Sequence, residues 1–376
     1  MTNPGAIASE TGTRAGGGQF GPVYQVLNDA IRARLFPGCA FGAFSENRVV
    51  LKEGLGRLTY EDDSPAVNSA TVFDVASITK VLATTAAAMR LYERGVLDLG
   101  TPLGELLPGF VVGRGPGERA RHVTVRHLLA HNSGLPAYLE LFRTALTPDA
   151  LLRACLQVPL EAEPGARTEY SDIGFILLGK ALEVLTRESL ASWADRELFR
   201  PLGLHATGFN PAPALRPDIP PTEEDTELRH RRIQGEVQDE NAWRLGGVAG
   251  HAGLFSDVED LLSFARAILA SYAGEPVANP LWTRSTVELF ARRQDPPGSS
   301  RALGWDTPSE KSSAGRHFSS HSIGHLGFSG CSLWIDLSAS VAVVLLTNRT
   351  WPDRRNQGIR EIRPLFHDAV RESLGV

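Results

Sequence analysis

The spacing of apolar residues divides the chain into two β-type ends and a helical middle. Helical spacing, with apolar positions three or four residues apart, occurs near both termini and throughout the centre. Short apolar runs bounded by turn residues occur near the two ends, and that pattern is typical of strands joined as hairpins. Helices are predicted at about 20–35, 77–95, 257–270 and 356–374 and over most of 101–193, and strands at 39–45, 49–57, 321–330, 331–336 and 341–348.

Strands from both ends of a chain can join one sheet. The simplest packing is an antiparallel sheet covered by the terminal helices, with the central helices as an insert. We therefore predict an α/β (α+β) fold, with a sheet-bearing part at about 20–80 and 250–376 and a mostly helical part at about 81–249. Residues 1–19, which are largely polar, are predicted to be a flexible lead-in.

The composition is that of an ordinary globular protein. Of the 376 residues, 42% are hydrophobic and 22% are charged, which is close to the average for such proteins. The net charge of −5 argues against a nucleic-acid partner. No apolar run reaches the roughly 18 residues that a membrane-spanning helix needs, so no membrane partner is expected. The oligomeric state is left open.

The cysteines and the N-terminus bear on the cellular compartment. Cys39, Cys155 and Cys331 are odd in number and widely spaced, so they imply no disulfide framework. Met1 to Gly18 lacks the basic start and the apolar stretch of a signal peptide. Together these observations predict a cytoplasmic protein.

The first chemical signal is Ser77-Ile78-Thr79-Lys80, at the start of a predicted helix. A serine and a lysine three residues apart lie on one helix face, where the amine can take the proton of the hydroxyl and activate it as a nucleophile. Only four of the 38 basic residues are lysines. Arginine does not lose its proton and could not act as such a base. The same four residues also fit an ordinary helix start, so the pattern needs support from elsewhere.

Further motifs follow in order along the chain. Tyr170-Ser171-Asp172 ends a segment that begins at Pro164, and His325-Leu326-Gly327-Phe328-Ser329-Gly330 precedes the last hairpin. The supporting phrases are His131-Asn132-Ser133-Gly134-Leu135-Pro136 and the glycine-rich stretch 246–256. The set resembles the superfamily of serine β-lactamases and penicillin-binding proteins, on its class C side, and most of all the penicillin-binding protein 4B type. The resemblance covers about 20–376.

The resemblance implies a β-lactamase/transpeptidase-like fold and a role for each motif. Ser77 would be the acylated nucleophile, Lys80 would help to deprotonate it, and Tyr170 would carry protons between Ser77 and the leaving group. The backbone N–H groups of Ser77 and Phe328 would form the oxyanion hole. Gly327 would let the backbone approach the substrate closely.

Asp172 departs from the asparagine that is usual in the broad family. Asparagine can donate a hydrogen bond to a substrate carbonyl, whereas an ionised aspartate only accepts. Asp172 can hold Lys80 or a substrate amine, and it can also serve as the N-cap of a helix that begins at Ile173. These alternatives remain open in the sequence.

Two histidines are candidates for the substrate side of the site. His325 stands where the family has Lys or His, and its charge is expected to change near neutral pH. His251 lies in the glycine-rich stretch, where it is either a cleft residue or a loop histidine bonded to backbone. No cofactor or metal is expected, although His127 with His131, and His317 with His321 and His325, are spaced four residues apart.

These observations predict a serine hydrolase that acts through an acyl-enzyme on small esters or amides. It would be an esterase or a D-amino-acid-type peptidase and at most a weak β-lactamase. The alternatives are a slow ligand-binding or self-assembling scaffold that keeps the fold, and a metallohydrolase.

Overall fold

The structure, a computed structural model, describes residues 18–115, 117–276 and 280–375. The lead-in predicted at residues 1–19 lies almost wholly outside the described residues. The strands are β1 Gly38–Ser45, β2 Arg48–Gly56, β3 Phe73–Asp74, β4 Gly208–Phe209, β5 Glu223–Asp225, β6 Arg231–Ile233, β7 Leu254–Ser256, β8 Ser322–Leu326, β9 Ser332–Asp336 and β10 Val341–Thr347. The α-helices are α1 Gly21–Arg32, α2 Ala86–Glu93, α3 Leu103–Leu106, α4 Val125–Leu129, α5 Pro148–Gln157, α6 Asp172–Thr186, α7 Leu190–Ala194, α8 Arg200–Leu202, α9 Glu240–Arg244, α10 Val258–Ala273, α11 Arg284–Ala291 and α12 Ile359–Leu374.

The first hairpin is closed by a two-residue turn. Ser45 of β1 lies opposite Arg48 of β2, and the residues between them, Glu46 and Asn47, have φ angles of 51° and 58°. Left-handed conformations at both central positions are typical of a type I′ turn, whose twist matches that of the paired strands. The predicted hairpin is therefore confirmed, with its turn at Glu46-Asn47.

Strands from the two ends of the chain share one antiparallel sheet, as predicted. The order is β2-β1-β10-β9-β8, and each neighbouring pair is antiparallel. Every residue of β1 and of β10 is buried, because these strands lie inside the sheet and both of its faces are covered.

The two faces of β1 contact different layers. Phe41 packs edge-on against Tyr24 of α1 and Phe366 of α12, with 5.7 and 6.0 Å between ring centroids. On the opposite face, a side chain at Gly42 would come within 2.6 Å of Val258 in α10. The terminal helices therefore cover one face of the sheet, and α10 lies against the other.

The central part of the chain is mostly helical, and the first two turns of α6 are deeply buried. The residues from Ile173 to Gly179 are all buried, and a helix that is apolar on all sides belongs in a core. Tyr170 and Asp172 lie at the start of this fixed helix. Among the described residues, no helix has the length and apolar character to cross a membrane.

Candidate active site

The backbone is strained just before Ser77. After β3, which pairs with β7, Ala76 has a φ angle of 46°, a conformation that is uncommon for residues other than glycine. The Asp74 carboxylate holds this turn by accepting a hydrogen bond from the Ala76 N–H at 2.8 Å. Residues Ala76–Ile78 then form a 3₁₀ turn, and Lys80–Thr85 are π-helical. The segment predicted as a helix from Ser77 is thus helical, but it becomes an α-helix only at α2.

Lys80 is buried beneath Ser77, and its ammonium group contacts three acceptors. The side chain is 0% exposed. Its Nζ donates to Ser77 Oγ at 3.0 Å, to Asp172 Oδ1 at 2.6 Å and to the His251 carbonyl at 3.0 Å. An ammonium group has three donors, so these contacts fix its position beside the Ser77 hydroxyl.

Ser171, rather than Asp172, caps the helix that carries the second motif. Ser171 Oγ accepts a hydrogen bond from the Gly174 N–H at 3.1 Å and donates to the Pro136 carbonyl at 2.7 Å. The helix α6 begins at Asp172 itself. The alternative that Asp172 is the N-cap is therefore wrong, because the neighbouring hydroxyl satisfies the free N–H and leaves the Asp172 carboxylate for Lys80.

Four basic side chains surround the ring of Tyr170. The His131 ring is tilted against it at 4.7 Å between centroids, and the His325 ring is 5.9 Å away. The Lys80 ammonium and the Arg301 guanidinium lie 4.8 and 5.0 Å from the ring centroid. The aromatic ring is therefore held by two imidazoles and two cations.

The ion pair between Lys80 and Asp172 decides the resting charges of the site. Burial lowers the pKa of Lys80, but the charge of Asp172 and the hydrogen bonds to Asp172 and Tyr170 act the other way, so the pKa lies above its usual value. Burial raises the pKa of the Tyr170 phenol, while Lys80 and hydrogen bonds to Lys80 and Ser77 act to lower it. At rest Lys80 is therefore an ammonium and Tyr170 a neutral phenol.

His325 lies in the site as a neutral imidazole. Burial together with the positive charges of Lys80 and Arg301 lowers its pKa well below 6.5. The expectation that its charge changes near neutral pH is therefore wrong. Because Nδ1 lies 2.9 Å from the Leu326 carbonyl, this nitrogen carries the proton. Nε2 is then a buried acceptor, which bonds to no other group of the described chain.

The loop after β8 is locked to the segment that leads to Ser77. A side chain at Gly327 would lie 2.5 Å from the Val75 carbonyl oxygen, so this position needs glycine for contact within the protein, beyond the predicted approach to substrate. Arg363 of α12 donates to the Gly327 carbonyl at 2.6 Å and to the Cys331 carbonyl at 2.9 Å. These bonds fix the loop that contains Phe328.

Phe328 projects from this loop into the cleft. Its side chain is 48% exposed, and its carbonyl accepts a hydrogen bond from Arg349 Nε at 2.8 Å. The next residue, Ser329, donates its hydroxyl proton to the Asp74 carbonyl at 2.7 Å. The backbone on which the resemblance places one oxyanion donor is thus tied to the turn that precedes Ser77.

The predicted site residues converge on one cleft of about 1480 Å³. Those that line it are Ser77, Tyr170, Asp172, His325, Gly327 and Phe328. Lys80 lies directly below its floor. His251 does not line the cleft, so the prediction that it contacts substrate is corrected.

His251 acts on the site from behind the cleft wall. Its ring is buried, and Nε2 lies 2.8 Å from Asp239 Oδ1, while its backbone carbonyl accepts from Lys80. Burial acts to raise the pKa of Asp239, but His251 and other partners lower it to about 2. Asp239 lines the cleft as a carboxylate.

Three residues at the site escaped the sequence analysis or were given no role there. In the sequence, Asp239 can be recognised only as a possible helix N-cap. In the structure it has that role, because its side chain accepts a hydrogen bond from the Ala242 N–H. His131 stood in a possible metal pair, whereas it supports Tyr170 and accepts from the Ser171 N–H at 3.0 Å. Arg301 belongs to no motif.

Within the three described ranges, no group of three or more His, Cys, Asp and Glu side chains is arranged to hold a metal ion. The histidines spaced four residues apart face different surroundings. His127 bonds Thr124 at the start of α4, whereas the His131 ring lies tilted against Tyr170.

Comparisons with known proteins place this geometry in context. The family model described as Beta-lactamase matches residues 27–365. An N-acetylmuramyl-L-alanine amidase of Bacillus subtilis (strain 168) is 31% identical over 349 residues, which are 84% of this chain and 77% of the relative. A Salmonella typhi protein, provisionally named a D-alanyl-D-alanine carboxypeptidase, is 29% identical over 350 residues, or 84% and 79% of the two chains. The structure of EstCE1, a hydrolase with promiscuous acyltransferase activity, superposes with a TM-score of 0.76 at 23% identity over 94% of this chain and 98% of the other.

Proposed function

We propose that this chain, which belongs to the Beta-lactamase family and is a serine hydrolase, works through an acyl-enzyme formed on Ser77. The observation that carries the proposal is the contact of Lys80 Nζ with Ser77 Oγ at 3.0 Å, beside Tyr170 at the floor of the cleft. A nucleophile within hydrogen-bond reach of a group that can take its proton, which is in turn oriented by a third group, is the arrangement that nucleophilic catalysis needs.

The proton path follows the hydrogen bonds. Lys80 is charged at rest, so it first yields a proton to Asp172, 2.6 Å away, and then accepts the proton of Ser77 as the hydroxyl attacks the carbonyl carbon. Tyr170 gives its own proton to the leaving group, and the phenolate that this leaves takes the Ser77 proton from Lys80. Water then attacks the acyl-enzyme, the proton moves back along the same path, and the acid is released. The N–H groups of Ser77 and Phe328 are the proposed oxyanion donors.

Small esters or amides are the proposed substrates. The names of two relatives, an amidase and a carboxypeptidase, support an amide or D-amino-acid peptide, and the EstCE1 likeness bears on the fold alone. Asp172 offers a carboxylate bound to Lys80 where the broad family has an amide donor. A carbonyl that needs a donor there would stay unpaired, which costs about 1–3 kcal/mol. Weak β-lactam hydrolysis at most is therefore expected, and a cytoplasmic location remains part of the proposal.

The proposal is tested by intact-mass measurement after treatment with a fluorophosphonate. The wild type is expected to gain one adduct, which peptide mapping locates at Ser77, and Ser77→Ala is expected to gain none and to lose ester and peptide hydrolysis. Ser285→Ala, which changes an exposed hydroxyl on α11, is the matched control and should react as the wild type does. Full labelling of Ser77→Ala would contradict the mechanism, and a wild type that forms an adduct without turnover would favour the scaffold alternative.

A further inference from the structure

Arg301 is a cation at the site that no motif contains. It lies on the loop before β8, and the neighbouring Asp306 forms a backbone bridge to Gly324 of that strand. The Arg301 side chain is 20% exposed and lines the cleft. Its guanidinium carbon lies 5.0 Å from the ring centroid of Tyr170, within the distance of a cation–π contact. The bridge to the sheet gives this loop residue a fixed position.

Two cations lie against Tyr170, but their charges are compensated to different extents. Lys80 is paired with Asp172 at 2.6 Å, so the charge of Asp172 offsets part of the positive potential that Lys80 contributes at the phenol. The carboxylate nearest to Arg301 is that of Asp306, at 3.9 Å. An opposite charge offsets less of a side chain's positive potential when it lies farther away. Arg301 therefore keeps more of its positive potential at Tyr170 than Lys80 does.

The two imidazoles beside Tyr170 do not supply a positive charge. Burial lowers the pKa of both His131 and His325 well below 6.5, and Arg301 lowers each of them further. Arg301 therefore acts on this pocket electrostatically, and it does so while the histidines stay neutral.

We propose that Arg301 is a positioning residue for the reaction, which holds the Tyr170 ring and supplies positive potential in place of the part of the Lys80 potential that Asp172 offsets. The inference rests on the proton-carrying role proposed for Tyr170. It makes Asp172 and Arg301 a compensating pair around the phenol. A phenolate, formed transiently as the proton passes, is then stabilised by a guanidinium that gives up no proton itself.

The charged and titratable groups that face Tyr170 are Lys80, Asp172, His131, His325 and Arg301. Of these, Arg301 can be neutralised without breaking the contacts of Lys80 with Ser77 and Asp172. Removal of its charge is expected to raise the pKa of Tyr170 by about one unit, the usual size of the effect of a near charge.

The test is a direct titration of Tyr170. All tyrosines are replaced with a fluorotyrosine of lower intrinsic pKa, and the ¹⁹F resonance of position 170 is assigned by its loss in Tyr170→Phe. Arg301→Met and Arg301→Gln are expected to raise the pKa of this residue by about one unit, and Arg301→Lys to leave it near the wild-type value.

Arg355→Met is the matched control, because Arg355 lines the same cleft but pairs with Asp353 at an exposed position. An unchanged Tyr170 titration in Arg301→Met, or equal shifts in Arg301→Met and Arg301→Lys, would overturn the inference. So would an effect confined to the KM of substrates that bear a carboxylate, because Arg301 would then be a substrate contact. The titration does not depend on which residue is acylated, so its outcome is separate from that of the Ser77 test.

Discussion

A single carboxylate determines the resting charge of Lys80. Burial alone would lower the pKa of this amine, as a sequence argument from a buried lysine expects, but Asp172 at 2.6 Å reverses the effect. An asparagine at this position would leave the amine without a counter-charge and would offer a donor to the cleft. One residue therefore affects both the base and the substrate that the site accepts.

Asp172→Asn is expected to change the pH profile and the substrate preference together. Without the carboxylate, the pKa of Lys80 falls, but the ammonium group no longer has an acceptor for its proton, so Lys80 can act only where it is itself deprotonated. The acid limb of kcat/KM, which reports the base in the free enzyme, should therefore move to higher pH. The ratio of ester to cephalosporin kcat/KM should fall about tenfold, equivalent to about 1.4 kcal/mol, because the amide can pair with a substrate carbonyl.

Asp149→Asn is the control for Asp172→Asn, since Asp149 is also a first-turn aspartate, on α5, and does not line the cleft. Both quantities should stay at their wild-type values in this variant. If Asp172→Asn changes neither the acid limb of kcat/KM nor the ester-to-cephalosporin ratio, the carboxylate determines neither the protonation of the base nor the substrate specificity.

At the scale of elements, the start of α6 converts a short motif into a fixed geometry. Ser171 caps the helix and bonds Pro136, and its N–H is bound by His131, forty residues earlier in the chain. Tyr170 and Asp172, on either side of Ser171, therefore line the cleft from a helix start that three hydrogen bonds hold in place.

Ser171→Ala is expected to lower stability and activity together. Loss of an N-cap hydroxyl costs about 1 kcal/mol, and a start of α6 that is no longer held should lower kcat by about tenfold through misplacement of Tyr170. Urea unfolding and ester kinetics on the same protein measure the two effects.

Ser189→Ala removes the cap of α7, where Ser189 accepts from the Ser192 N–H, and it should lower stability without changing kcat. Equal kcat in both cap variants would show that the start of α6 does not position the catalytic groups.

Elements with local signals were predicted well. The first hairpin, the amphipathic α10 and the last three strands follow from turn residues and spacing. The π-helical turn at Lys80–Thr85 has no such signal, because its local pattern is that of an α-helix. It lies between Ser77 and the core, where tertiary contacts rather than propensity decide the backbone.

At the scale of the molecule, the shared sheet was predictable because an antiparallel sheet covered by the terminal helices is the simplest packing that buries both β ends together. The motifs also identified the cleft. Arg301 and Asp239 were not predictable, since each reaches the site from a loop whose position depends on long-range contacts, a bridge to β8 for one and His251 for the other. The roles assigned to the motif residues remain predictions until the variants are measured.

Stability at mildly acidic pH is expected to depend on buried neutral histidines. His367 of α12 is 0% exposed, and burial lowers its pKa from 6.5 to about 4; the pKa values of His131 and His325 are lowered as well. Below pH 6.5 the unfolded chain binds protons that the folded chain does not, so stability falls as the pH falls. Asp74 opposes this trend below about pH 6, because burial raises its pKa to about 6.

His367→Gln isolates one of these groups. With a folded pKa of about 4 and an unfolded value of 6.5, His367 should account for about 2 kcal/mol of the stability lost between pH 7.5 and pH 5. Urea unfolding at the two pH values should therefore give a difference that is about 2 kcal/mol smaller in His367→Gln than in the wild type. Phe366→Leu, at the neighbouring buried position, should lower stability equally at both pH values. If His367→Gln keeps the wild-type difference, proton binding by this histidine does not drive the acid destabilisation, which must then come from other groups such as His131 and His325.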